Sequence, residues 1–151
     1  MRIVVDDLTG PEIAAFLEEH VEEMRAVTPL ESKHALDLDG LRGPDVAFWS
    51  VLDAGTLVGC GAIKALDAHD AEIKSMRTAR TSKGSGVASL LLQHIISECR
   101  RVGLARLSLE TGSDDFFAPA RRLYLRHGFR YSGPFADYRE DPNSVFMTRA
   151  L

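Results

Sequence analysis

Glu72-Ile73-Lys74-Ser75-Met76-Arg77-Thr78 leads through Ala79 to Ser82 into Lys83-Gly84-Ser85-Gly86-Val87-Ala88. The first part reads as a strand, and from Val87 the apolar positions recur at helical spacing, so a tight glycine turn joins strand to helix. Two glycines let a backbone approach a ligand closely, and the helix aims unpaired N–H groups and the positive end of its dipole at an anion. Lys83 adds a positive charge. The turn therefore reads either as a pyrophosphate cradle or as a simple bend between two elements.

Working outward, Ile3-Val4-Val5 reads as a first strand, and Thr9 with Glu12 has capping-box spacing at the head of a helix. Ile13, Phe16, Leu17, Val21, Met24 and Val27 carry that helix to about Val27. Thr28 to Pro44 follows neither period and predicts a loop with a short helix. Ala47–Leu52 and Thr56–Leu66 form a hairpin about Asp53-Ala54-Gly55, and the strand ending at Thr78 extends it into an antiparallel meander. Beyond the glycine turn, Val87, Leu91, Ile95 and Val102 make the apolar stripe of a helix opposed by Ser89, Gln93, Ser97 and Arg100. A strand Leu104–Glu110 follows, then a helix from about Ala118 capped by Gly128, and short strands Phe129–Ser132 and Ser144–Arg149. The order is mixed α/β, with no repeat or linker dividing it.

The 151 residues suit one domain spanning 1–151, with a core large enough to stand without disulfide or metal. Hydrophobic residues at 45% and charged residues at 26% place the chain among globular proteins. A net charge of -4 gives no general field for nucleic acid, and no apolar run reaches membrane-spanning length. With no leader-like N-terminus, the chain is expected to be cytoplasmic and to engage neither nucleic acid nor membrane. Cys60 and Cys99 are expected as buried free thiols, and no metal-ligand spacing is present.

Two stretches together resemble the GNAT family of acyl-CoA-dependent N-acetyltransferases. Lys83-Gly84-Ser85-Gly86-Val87-Ala88 is similar to the family's R/Q-x-x-G-x-G/A pyrophosphate motif, with Lys in the leading place. Phe117, Ala120, Leu123, Tyr124, Gly128 and Phe129 are similar to N-x-x-A-x-x-L-Y-x-x-x-G-F, with Phe117 in place of Asn. The stretch "PFADYREDPNSVFM" looks like that of a bacterial GNAT subgroup. The resemblance covers essentially the whole chain and implies a central, mostly antiparallel mixed sheet of six to seven strands, flanked by about four helices. Its fourth and fifth strands would part in a V-shaped split.

The resemblance further implies that acetyl-CoA is the acyl donor, without a metal. Met76, Arg77 and Thr78 would line its pantetheine arm. Lys83, Gly84, Ser85, Gly86, Val87 and Ala88 would hold its pyrophosphate, and a backbone N–H near Met76 would serve the oxyanion. Lysine keeps the charge of the family's Arg but loses its planar fork, and Phe117 can pack against the arm without the hydrogen bond of Asn. Tyr124 would protonate the departing thiolate. Glu72 is the first choice as the base that frees the acceptor amine, with Glu110 and His34 as others. The acceptor, a small amine or a peptide, would be selected by Thr28 to Pro44 and Gly133 to Asn143. Within the latter, Asp137, Glu140 and Asp141 either attract a cation or are simply solvated. A homodimer is compatible with the family.

Three rivals remain. Gly84-x-Gly86, a helix, a strand and then Glu110 imitate a dinucleotide-binding fingerprint, but Ser89 stands where its third glycine belongs. A P-loop kinase lacks its Gly-Lys-Ser/Thr. A GNAT fold that binds acyl-CoA as a non-catalytic sensor has the same motifs as an enzyme.

Overall fold

The computed structural model describes residues 1–28 and 38–151. His34 lies outside the described residues. Seven strands form one sheet in the order β1-β2-β3-β4-β5-β7-β6, namely β1 (Arg2–Val5), β2 (Val46–Asp53), β3 (Thr56–Ala65), β4 (Asp70–Thr78), β5 (Arg106–Gly112), β6 (Arg130–Ser132) and β7 (Ser144–Ala150). Every neighbouring pair is antiparallel except β4 and β5. Helices α1 (Pro11–Arg25), α2 (Leu38–Leu41), α3 (Val87–Arg101) and α4 (Ala118–Arg126) flank it. This is the mixed sheet expected from the sequence.

Two apolar layers follow from strand alternation. On one face α3 buries Val87, Leu91, Leu92, Ile95, Ile96 and Cys99 against Ile73, Leu107 and Leu109, joined by Leu123 and Tyr124 of α4. Each such Leu or Ile contributes roughly 1.5–3 kcal/mol when fully buried. On the other face Ile13, Phe16 and Leu17 of α1 pack with Phe48, Cys60 and Ala62. Cys60 and Cys99 are both free and buried, and burial pushes the Cys60 thiol up to about 12. Both are inert at neutral pH.

The capping box does not form. Thr9 turns back to Asp7, its hydroxyl donating to Oδ1 at 2.6 Å, and α1 starts with Gly10 as N-cap and Pro11 at its first position. Proline presets the helical φ and lacks the N–H that a cap would satisfy, so it sets the boundary alone. At α4 the expected stop is present. Gly128 has φ +87°, and the Phe129 N–H returns to the Tyr124 carbonyl at 3.0 Å.

β4 and β5 pair from Asp70↔Arg106 only as far as Ile73↔Leu109, and then part. On its other side β4 carries a bulge. Cys60 pairs with Arg77 but Ala62 with Lys74, leaving Gly61 opposite Ser75 and Met76, and Ser75 has φ +56°. A Cβ on Gly61 would come within 2.4 Å of Met76 Sδ, so glycine there makes room for Met76. The bulge bends β4 away from β5 at the height where the ladder ends.

Gly112 does similar work at the end of β5. A Cβ there would lie 2.1–2.8 Å from atoms of the Phe117 ring, which packs directly against this glycine. Gly112→Ala is therefore expected to lift Phe117 off its seat, lowering the melting temperature by several degrees for a cost of about 1–3 kcal/mol. Differential scanning fluorimetry checks this. An unchanged melt would mean that Phe117 repacks freely.

Candidate active site

The parting of β4 and β5 opens into a cavity of about 620 Å³ that passes between α1 on one face and α3 and α4 on the other. Glu72, Met76, Arg77, Thr78, Lys83, Gly84, Gly86, Val87, Ala88, Phe117 and Tyr124 all line it. Ser85 does not. Its hydroxyl and N–H both turn back to the Ser82 carbonyl, so it tightens the turn instead of facing the cavity. No helix among the described residues is long and apolar enough to cross a membrane.

At one end the glycine loop is shaped for an anion. Gly84 and Gly86 have φ +80° and +86° with open space where a side chain would stand, and α3 begins without a side-chain cap. Its first-turn N–H groups are therefore available to an anionic ligand. Lys83 Nζ sits 5.5 Å from the centroid of Phe116, which holds its charge at the rim. Arg122 and Arg126, one helical turn apart on α4, also line the cavity.

Arg77 departs from its expected role in one respect. Its backbone borders the cavity, but its guanidinium is committed to α1: Nη1 to the Phe16 carbonyl at 3.1 Å, and Nη2 to Glu23 at 2.8 Å and Glu19 at 3.1 Å. Burial alone would raise the Glu23 carboxyl, yet Arg77 and Arg80 hold it below its ordinary value. This side chain fastens α1 to β4 and leaves the ligand to the backbone.

Tyr124 reaches the cavity from the α4 face. The residue is 5% exposed and its ring packs edge-on against Phe129 at 5.6 Å. Its hydroxyl has no hydrogen-bond partner among the described residues. Burial holds the phenol above its usual value, so it keeps its proton throughout the neutral range.

From the opposite face come Glu72, Lys74 and Glu110. Alternation turns Ile73 and Leu109 into the α3 layer, so these three share the α1 side of the sheet. Glu72 is 4% exposed, with its Oε2 3.2 Å from Lys74 Nζ and accepting a hydrogen bond from the Tyr138 hydroxyl. Lys74 also donates to that hydroxyl at 2.9 Å. Burial raises the Glu110 carboxyl to about 7, with Ser144 and Lys74 opposing and Glu72 and Asp141 reinforcing the shift. That is the value suited to a base at neutral pH.

Sequence reasoning missed Tyr138, Lys74 and the pair Arg122 and Arg126, and it missed His20 and Glu23 of α1, which also line the cavity. Tyr138 sits in the acidic segment between β6 and β7. A turn closed by its N–H to the Phe135 carbonyl, and ring contacts with Phe135 and Phe146, carry it back across the sheet. Its one visible signal was an aromatic among charged residues. Of the acidic residues noted there, Asp137 and Glu140 are exposed and only Asp141 lies near the cluster.

A sheet split beside a glycine-led helix, with an uncapped N-terminus at one end and carboxylates at the other, is an acyltransferase architecture. The chain belongs to the acetyltransferase (GNAT) family, whose model matches residues 13–129. It is 54% identical over 151 residues, the whole of both chains, to the uncharacterised N-acetyltransferase YsnE of Bacillus subtilis. It is 39% identical over 141 residues, 92% of this chain and 90% of the relative, to a protein of Azospirillum brasilense named IAA acetyltransferase. Among solved structures, it is similar to one of an acyl-CoA N-acyltransferase from Klebsiella pneumoniae, with TM-score 0.79 and 28% identity over 99% of this chain and 97% of that one. The dinucleotide-binding and kinase readings end here.

Proposed function

We propose that this acyltransferase takes acetyl-CoA as its donor and moves the acetyl group to a primary amine by direct attack of the nitrogen on the thioester carbonyl. The observation that carries the reading is the cavity itself. It runs through the split, with an anion-shaped loop and Tyr124 on the α3 and α4 side and carboxylates on the α1 side. Donor and acceptor can thus meet from opposite faces of the sheet.

In this reading Gly84, Gly86 and the first-turn amides of α3 grip the pyrophosphate, and Lys83 adds its charge. Met76 and Thr78 offer backbone groups to the arm beyond the end of the β4–β5 ladder. A backbone N–H at the Ser75–Met76 bulge serves the developing oxyanion, because the bulge frees that stretch from regular pairing. Tyr124 supplies a proton to the departing sulfur, and a carboxylate of the α1 side accepts the proton of the amine.

The test is thiol release from acetyl-CoA in the presence of alkyl amines, amino acids, short peptides and IAA. The last belongs in the panel because of the Azospirillum relative's name. Release with at least one amine, and a product heavier by one acetyl group, is expected. Tight acetyl-CoA binding without release in any case would favour the non-catalytic sensor.

A further inference from the structure

Two carboxylates face the acceptor side, and the geometry separates their jobs. Glu72 pairs with Ser108, inside the part of the ladder where β4 and β5 are still joined. Glu110 is the first residue of β5 beyond the last pair, Ile73↔Leu109, so it stands at the crotch of the split. On its other side Glu110 is held in register opposite Phe146 of β7, part of the aromatic group that also anchors Tyr138.

Their partners differ as well. A single oxygen of Glu72 holds both the Tyr138 hydroxyl and the Lys74 ammonium. A proton arriving on that oxygen would displace both donors. Both donors already occupy the lone pairs through which that oxygen would receive a proton from an amine. Resting on the acetyl-transfer reading, we propose that Glu110 is the catalytic base that takes the proton from the acceptor ammonium, and that Glu72, fixed by Lys74 and Tyr138, is a positioning residue that sets the charge around it.

The proton account closes. An alkylammonium nitrogen loses two protons as it becomes an amide. One passes to Glu110 and on to water, and the second ends on the sulfur through Tyr124 as the C–N bond forms and the C–S bond breaks. Glu110 needs no strong basicity for this, only ionisation near neutral pH; of the groups that face it, Ser144 of β7 and Lys74 of β4 favour the ionised form and Glu72 and Asp141 oppose it, with Tyr138 beside them and His20 and Glu23 of α1 across the same cavity.

A stability readout is independent of turnover. A carboxyl whose folded pKa is raised costs stability as pH rises from its unfolded value toward 7, because the unfolded chain has already released the proton. Glu110→Gln is therefore expected to melt higher than the wild type at pH 8, with the difference shrinking as pH falls from 7 and closing only below about 4.5.

The activity arm uses thiol release with the best primary alkyl amine of the panel and with hydroxylamine, which is already neutral at pH 7. The wild-type kcat/KM for the alkyl amine should rise through an inflection near pH 7 to a plateau. In Glu110→Gln that inflection should vanish, the rate at pH 7 should fall by about 10²–10³-fold, and activity should climb steadily with pH as free amine appears. With hydroxylamine the loss should be under about tenfold. In Glu72→Gln the inflection should persist and move to lower pH, and in Lys74→Met it should move higher, because the one removes a like charge and the other an opposite charge. An inflection that survives in Glu110→Gln, or one lost in Glu72→Gln, overturns the assignment while leaving acetyl transfer intact. A wild type that releases no thiol with any amine overturns both.

Discussion

Tyr124→Phe should lower kcat by about ten- to a thousandfold, the range that a positioned proton donor supplies, while leaving acetyl-CoA affinity within about twofold. The substitution deletes one oxygen and keeps the ring against Phe129, so the fold should hold. An ordinary phenol near ~10 is a weaker acid than a thiol near ~8.5, and burial raises the phenol further, so transfer to a free thiolate would run uphill. The same desolvation raises the basicity of the departing sulfur. Donor and acceptor therefore shift together, and the hydrogen bond gains most at the moment when charge appears on sulfur. Since Tyr124 remains protonated at all working pH values, its loss should lower the whole pH profile without moving its midpoint. Stopped-flow or steady-state thiol release across pH 6–9 checks both features. An unchanged kcat would leave Tyr124 as a packing residue, and a matching loss of affinity would make it a binding one.

What the sequence made legible was local. The glycine turn, the stripe Val87, Leu91 and Ile95 and the stop at Gly128 each depend on neighbours within one or two helical turns and stand where the pattern puts them, whereas Val102, expected on the same stripe, lies just past the end of α3 and is exposed. Thr9 failed as a cap because Pro11 competes for the same boundary, a contest that spacing alone does not decide. The strand edges moved too: the fifth strand was expected from Leu104 but begins at Arg106, where pairing with both β4 and β7 becomes possible. The acceptor side was least legible. Tyr138 meets Glu72 across 66 positions of sequence, and only the fold-back at Phe135 and the parting of two strands bring them together. Glu110 could be named as a candidate from its place at a strand end. Its preference over Glu72 rests on which oxygen is already occupied, and no periodicity carries that information.

Gly86→Val should weaken acetyl-CoA binding by about 10- to 150-fold, the worth of one charge-assisted hydrogen bond at about 1.5–3 kcal/mol. Two effects must be separated. At φ +86° any Cβ is strained, and a branched one more so, which costs stability whether or not a ligand binds. The space beyond the Cα is open, so a valine side chain would clash with nothing in the protein and would project where the pyrophosphate is proposed to approach. Gly103 supplies the control. It has φ +87°, equally open surroundings, and a position beyond the far end of α3, outside the cavity lining. Gly103→Val should lower the melting temperature about as much as Gly86→Val and leave acetyl-CoA affinity untouched. Lys83→Glu should weaken binding with little change in melting, and its effect should shrink as salt rises, since an exposed charge acts through a screened field. Calorimetric titration with acetyl-CoA at two ionic strengths reads all three variants. Equal losses of affinity at Gly86 and Gly103 would reduce the glycine loop to a bend between β4 and α3, and the anion would have to be held elsewhere in the split.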